Sequence, residues 1–189
     1  SGRTNIVVTG THGKTTTAAM AAVLLRAGGA EPGFFIGGVP NDLPGGAMLG
    51  RPDAPFVIEG DEYDSAFFDK RSKFIHYLPE VAVINNLEFD HADIFNDLAE
   101  IQLSFRRYIN LIPRNGLLAV NGDDPNIEAV LDVAHSSIRR FGLGQPNHLR
   151  AYDIGFTTTG SRFLVGEAEF FLPMSGELNV RNALAVVTV

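Results

Sequence analysis

The segment Val7-Val8-Thr9-Gly10-Thr11-His12-Gly13-Lys14-Thr15-Thr16-Thr17 constrains this chain more than any other. Asn5 to Thr9, a short run rich in Ile and Val, predicts a buried strand. A glycine-containing turn follows, and Lys14 to Ala27 then reads as a helix that Gly28-Gly29 ends. A strand that enters a glycine turn and leaves it as a helix brings several backbone N–H groups to one helix N-terminus, where an anion is favoured. Gly10 and Gly13 let the backbone come close to phosphates, Lys14 supplies positive charge to the β- and γ-phosphates, and Thr15 offers a hydroxyl to Mg²⁺. Val8 stands where the strict G-x-x-x-x-G-K-[ST] pattern has its first glycine, so the strand–turn–helix context carries the reading. The alternative is a chance Gly-Lys-Thr at such a turn.

The alternation of strand and helix continues along the chain. Gly33 to Val39 predicts a second strand, and Pro40 to Pro55, with several Pro and Gly residues, a loop. Phe56 to Glu59 reads as a strand ending in acid, Asp61 to Pro79 as irregular and charged, and Val81 to Asn85 as a buried strand. An Asp97/Glu100 capping-box pattern opens a helix that runs to Ile109. Leu117 to Val120 and Ile127 to Ala134 repeat strand then helix. The expected fold is α/β, a phosphate-loop, mostly parallel sheet flanked by helices. Near the C-terminus, Leu149 to Phe156, Arg162 to Val165 and Ala168 to Leu172 predict a small antiparallel patch with turns at Gly160 and Gly166. Asn179 to Val187 then reads as a helix.

Three further groups of residues bear on chemistry. Glu59-Gly60-Asp61-Glu62-Tyr63-Asp64 crowds four carboxylates at the end of a predicted strand, where open α/β sheets bind ligands. Such a group is either a solvated acidic loop or a site for a hard cation, which takes oxygen ligands. Asn85-Asn86-Leu87-Glu88-Phe89-Asp90-His91-Ala92-Asp93 also follows a predicted strand. His91 is either a structural or merely exposed histidine or a member of the same site; on chemical grounds it is an uncommon Mg²⁺ ligand. Asn179 and Asn182 lie three apart at a helix start and so share a face. Their carboxamides suit an adenine edge, and Asn179 equally suits a helix cap.

Composition narrows the classes. A chain of 189 residues, 45% hydrophobic and 20% charged, fits one soluble globular domain. The formal net charge of -7 argues against a nucleic-acid partner, which needs a basic surface. With no cysteine there is no disulfide framework and no thiolate nucleophile. No apolar run approaches the ~20 residues that cross a bilayer, and the N-terminus lacks a signal-peptide pattern. A cytoplasmic location with no membrane partner is the expectation. The first strand starts close to Ser1 and the apolar run Ala183 to Val189 simply stops, which reads as a domain excised from a longer protein.

Taken together, these segments resemble the central domain of the Mur ligases over essentially the whole chain. Thr9 to Thr17 is similar to their phosphate loop, and Glu59 to the family's Mg²⁺-binding glutamate. His91 is similar to the histidine that helps hold a second Mg²⁺. Asn179 and Asn182 resemble the asparagines of the family's G-x-H-N-x-x-N segment near adenine, with Leu178 in place of its histidine. The resemblance implies that residues 1–189 are the ATP-binding domain of a three-domain enzyme, with an N-terminal UDP-sugar domain and a C-terminal amine-binding domain elsewhere in the same protein. It implies ATP and Mg²⁺ as cofactors. Gly10, Thr11, His12, Gly13, Lys14, Thr15, Thr16, Asn179 and Asn182 would hold the nucleotide; Thr15, Glu59 and His91 the metal; Lys14, Glu59 and His91 would be catalytic. Glu62 to Phe74 and Asn86 to Phe95 look like the branch that joins UDP-N-acetylmuramate to the murein tripeptide L-alanyl-γ-D-glutamyl-meso-diaminopimelate in peptidoglycan recycling, through an acyl phosphate. The alternatives are the branch that adds L-alanine alone, a folylpolyglutamate-synthase type of ligase, a phosphate-loop kinase, and a GTPase-like binding module. The last would need an Asn-Lys-x-Asp segment, which the sequence lacks.

Overall fold

The computed structural model describes residues 2–61, 64–66, 69–88 and 97–189. Strand β1 (Asn5–Thr9) is followed by helix α1 (Lys14–Ala27), β2 (Gly33–Phe35), β3 (Ala47–Met48) and β4 (Phe56–Glu59). A two-stranded hairpin, β5 (Asp64–Ala66) and β6 (Asp69–Ser72), leads through a 3₁₀ turn at Lys73–Tyr77 to β7 (Val81–Ile84). Next come α2 (Leu98–Ile109), β8 (Leu117–Asn121), the short α3 (Pro125–Glu128), β9 (Ser137–Gly142), β10 (Leu149–Phe156), β11 (Ser161–Val165), β12 (Ala168–Leu172) and α4 (Glu177–Thr188).

Ten strands form one sheet in the order β12-β11-β10-β9-β8-β7-β1-β4-β2-β3. From β10 across to β2 every neighbouring pair is parallel. The edges turn antiparallel, with β3 on one side and the β11–β12 ribbon on the other. The expected fold class is therefore the observed one. β1 is the switch point: the chain passes to one side of it for β2 and β4, then to the other for β7 and β8. In open α/β sheets the crevice beyond such a point receives ligands.

The pleat sorts β1 between two cores. Ile6 and Val8 join Ala18, Ala21 and Ala22 of α1 and Val180, Leu184 and Ala185 of α4. Val7 joins Ile101, Phe105, Tyr108 and Ile109 of α2 on the opposite face. Alanine on the buried side of α1 lets that helix sit close to the sheet. On the other face Phe74 stacks obliquely on Phe105 and Tyr108, with centroids 5.3 and 4.8 Å apart. Burial pushes the pKa of Tyr108 well up, and its hydroxyl donates to the carbonyl of Val7 at 3.3 Å.

Several elements differ from the sequence reading. The strand expected over Gly33 to Val39 stops at Phe35, because the N–H of Gly37 leaves the ladder for the carboxylate of Glu59. The loop Pro40 to Pro55 contains β3. Asp61 to Pro79 is not irregular throughout but holds the hairpin and the 3₁₀ turn. The helix expected over Ile127 to Ala134 is α3, capped by Asp124 and opened by Pro125, followed by a 3₁₀ turn at Leu131–Val133. α4 starts at Glu177 behind Gly176, so Asn179 is not its cap. β9 was not foreseen. The pairing Asp97/Glu100 is present as far as its first half: the Asp97 side chain accepts from the N–H of Glu100 at 2.9 Å. A register shift between Tyr152 and Gly155 marks a bulge in β10, with Asp153 at φ 50°. Among the described residues no helix is long and apolar enough to cross a membrane.

Phe74 lies in the 3₁₀ turn and is fully buried against two rings of α2. Phe74→Ala should cost about 3–5 kcal/mol in urea denaturation, the range for emptying such a site. A loss under about 1 kcal/mol would show that the 3₁₀ turn does not anchor α2.

Candidate functional site

The turn after β1 is shaped by two glycines. Gly10 has φ 129° and Gly13 φ 79°, both in the region where a Cβ is disfavoured. A Cβ on Gly10 would meet the backbone of Asn86 at 3.0 Å, and one on Gly13 would lie 2.5 Å from Oδ1 of Asn182. The chain enters α1 from Gly13 with no capping side chain and no acidic residue in the first turn. That helix start keeps its positive dipole end and its leading N–H groups for an anion.

The end of β7 straps this turn in place. The N–H of Thr11 donates to the carbonyl of Asn86 at 3.2 Å, and that of His12 to Asn86 Oδ1 at 2.7 Å. Asn86 Nδ2 returns a bond to the carbonyl of His12 at 3.2 Å, and Asn85 Nδ2 donates to Thr17 Oγ1 at 2.9 Å. The N–H of Glu88 donates to Thr11 Oγ1 at 2.9 Å, and the side chains of Glu88 and His12 approach to 3.8 Å. The Thr11 and His12 amides thus face Asn86.

Lys14 and Thr15 lie at the loop mouth. Lys14 Nζ donates to the carbonyls of Gly10 at 2.7 Å and Thr11 at 3.2 Å. Thr15 Oγ1 donates to Glu59 Oε1 at 2.8 Å, and the N–H of Gly37 donates to Glu59 Oε2 at 2.7 Å. The hydroxyl of α1 and the carboxylate of β4, which the sequence places 44 residues apart, are therefore in contact. An alcohol oxygen beside a carboxylate is a donor set that fits a hard divalent cation. Of the other acids after β4, Asp61 pairs with Lys73 at 2.9 Å. Glu62 and His91 lie outside the described residues, as does His91's neighbour Asp90.

Helix α4 closes the opposite side. Asn182 is 2% exposed, packs against Gly13, and has an Nδ2 with no hydrogen-bond partner. Asn179 is half-buried and donates to the carbonyl of Ser175 at 2.9 Å. Beside these, a polar cavity of about 450 Å³ opens beyond β7 and β8, walled by Asn86, Asp124, Asn126, Glu177, Leu178 and Arg181. Asp124 holds it together, accepting from the N–H of Leu87 at 2.7 Å and of Asn126 at 2.9 Å.

Asn85, Asn86, Asp123, Asp124 and Arg181 were not singled out as site residues by the sequence. An Asp-Pro pair is a helix-start signal that marks Asp124 as a cap. The others engage groups far along the chain and leave no local pattern. Burial pushes the carboxyl of Asp123 up, but the N–H of Leu143, Arg181, Asn147 and the N–H of Gly144 together outweigh it and hold the group below the usual carboxylate range.

A buried parallel sheet, a glycine loop leading into an uncapped helix, and a threonine–glutamate pair at its mouth define a phosphate-loop α/β domain. The model of the Mur ligase middle domain matches residues 8–189. The chain is 43% identical to the UDP-N-acetylmuramate–L-alanyl-γ-D-glutamyl-meso-2,6-diaminoheptandioate ligase of Escherichia coli, over 96% of this chain and 40% of that protein. It is 37% identical to a UDP-N-acetylmuramate–L-alanine ligase of Salinibacter ruber, over 96% of this chain and 38% of that one. The crystal structure of the L-alanyl-γ-D-glutamyl-meso-diaminopimelate ligase of Neisseria meningitides superposes with a TM-score of 0.86 and 41% identity, covering 98% of this chain and 60% of that chain. The chain belongs to the Mur ligase family, whose members are ATP-dependent amide-forming ligases, and it comprises their middle domain. It spans about 40% of the length of the curated relatives it matches.

Two outcomes follow from the geometry. Removing the Asn86 carboxamide in Asn86→Ala should speed hydrogen exchange at the His12 amide at least tenfold, since that N–H then loses its acceptor; unchanged protection would mean the strap is not what holds the loop. A carboxyl whose native pKa is depressed stabilises the fold above its unfolded value and loses that contribution as pH falls through the native one. The stability gap between wild type and Asp123→Asn should therefore be full at pH 6 and shrink below about pH 4, as followed by urea denaturation. A gap that is constant down to pH 2.5 would contradict it.

Proposed function

We propose that this domain binds ATP with Mg²⁺ for a ligase that joins UDP-N-acetylmuramate to the L-alanyl-γ-D-glutamyl-meso-diaminopimelate tripeptide. The observation that carries the nucleotide reading is the Thr15–Glu59 contact at the mouth of the glycine loop. The tripeptide reading is supported by the greater likeness to the tripeptide ligases, 43% in Escherichia coli against 37% for the L-alanine ligase of Salinibacter ruber.

A carboxylate resists amines until one of its oxygens becomes a leaving group. Transfer of the γ-phosphoryl group to the lactyl carboxylate of the UDP-sugar, with departure of ADP, supplies it. The amine then attacks the acyl carbon, phosphate leaves with the C–O bond electrons, and the amide forms. Both partners of the first step are anionic, so the domain's part is positioning and charge neutralisation. The N–H groups at the start of α1 hold the phosphates. Lys14, which now bonds to the Gly10 and Thr11 carbonyls, has to turn outward to meet them. Thr15 Oγ1 and Glu59 would hold Mg²⁺, with His91 at a second ion as the family resemblance implies. Bound Mg²⁺ neutralises charge on the transferring group. Asn179 and Asn182 flank the nucleoside side. The UDP-sugar and the amine are assigned to other domains of the same protein, and the reaction to the cytoplasm.

ATP with Mg²⁺ at about 100 times its dissociation constant stabilises a binding domain by roughly 2.7 kcal/mol, a melting shift of about 5–10 °C at this size. Lys14→Ala should remove most of that shift, and a mutant that keeps it entire would place the site elsewhere. In the full-length protein, kcat/KM for the tripeptide should exceed that for free L-alanine on one preparation. The reverse order would leave the Mur ligase assignment and remove the substrate.

A further inference from the structure

We infer that Asp123 is a positioning residue of the nucleotide site: it fixes the first turns of α4 against the glycine loop and thereby governs the nucleoside half of the site separately from the phosphate half. This rests on the ATP reading above.

Asp123 lies just past β8, and its carboxylate gathers donors from three directions. It accepts from the N–H groups of Leu143 at 2.7 Å and Gly144 at 3.1 Å, which follow β9, and from Asn147 Nδ2 at 2.7 Å. It also accepts from Nη1 of Arg181 in α4. Its own N–H is pinned by Asn121 Oδ1 at 3.1 Å. One side chain therefore ties the ends of two parallel strands to a helix 58 residues further on. The surroundings are shaped for it: a Cβ at Gly142 would run into Asp123 Oδ1 at 2.6 Å, and one at Gly122 would run into Asn147.

The effect is delivered through Arg181. That residue bonds Asp123 with one nitrogen and Glu177 with the other, at 2.9 Å, so its guanidinium is held on both sides. Asn182 is the next residue, and it is the one packed against Gly13. Glu177 and Arg181 also line the polar cavity that Asn86 lines. Loosening the Asp123–Arg181 link thus moves the wall and Asn182 together. The phosphate loop touches Asn182 through Gly13 but has a second support, because Asn85 and Asn86 strap it after β7 and hold it when α4 shifts. The two halves of the site are therefore separable by mutation.

The test is calorimetric binding of Mg²⁺-ATP and of Mg²⁺-tripolyphosphate to wild type, Asp123→Asn and Arg181→Lys. Asp123→Asn keeps the shape and one acceptor but loses the charge; Arg181→Lys keeps the charge but loses the two-sided fork. Both variants should weaken ATP about tenfold or more while changing tripolyphosphate less than about threefold. The losses should not add in the double mutant, since they report one link. Parallel losses for the two ligands, or no loss for either, would overturn the inference while leaving the ATP site in place. Wild type that binds tripolyphosphate but not ATP would overturn the nucleotide reading itself, and this inference with it. Should Asp123→Asn lose its folded circular dichroism, Arg181→Lys alone decides by the same split.

Discussion

Every feature of the site is placed by one buried strand. β1 has Val7 and Val8 at 0% exposure and a parallel neighbour on each side, β4 and β7. The ladder bonds on both flanks and the side chains on both faces leave it no freedom to shift register. The chain must therefore leave it at a fixed point, and the left-handed glycines turn it into α1 there. Parallel pairing brings the carboxyl ends of β4 and β7 to the same edge. Glu59 arrives from one side and the asparagine strap from the other. α4, packed on the same core as α1, completes the enclosure.

Much of this was legible in sequence because the parallel strands β1, β4, β7 and β8 are continuous apolar runs, the pattern that burial on both faces produces. The glycine loop and α1 were legible to the residue, as their signals are local. β9 leaves no apolar pattern because Ser137-Ile138-Arg139-Arg140 reads as polar; Arg139 is exposed, Arg140 is half-buried, and only Phe141 and Gly142 are buried. Gly33 to Val39 was read too long, since nothing local says that a glycine N–H will prefer a carboxylate over a strand neighbour. Asn86 and Asp123 were illegible for a related reason. Each is recruited by backbone groups 20 or more residues away, and no spacing in the sequence encodes that.

Arg51–Asp53, Arg106–Asp132, Arg140–Glu128 and Arg162–Glu169 all involve well-exposed carboxylates, whose contribution to stability is small. Asp123 differs in being partly withdrawn from solvent and surrounded by donors, the setting in which a carboxylate organises structure.

The bulge in β10 has a consequence for how the domain holds together. Leu149 and Arg150 pair in parallel with β9 on one edge of the strand, while Ala151 and Tyr152 before the bulge and Gly155 and Phe156 after it pair antiparallel with β11 on the other. The left-handed Asp153 sits at the shift within that antiparallel register. It also turns the ribbon so that Phe163 and Phe170, stacked at 5.5 Å, reach the core shared by α1 and α4. The ribbon is thus not an appendage that can open by itself. Peeling it away would uncover the apolar side of α4, so the outermost strands and α4 are expected to open as one cooperative unit.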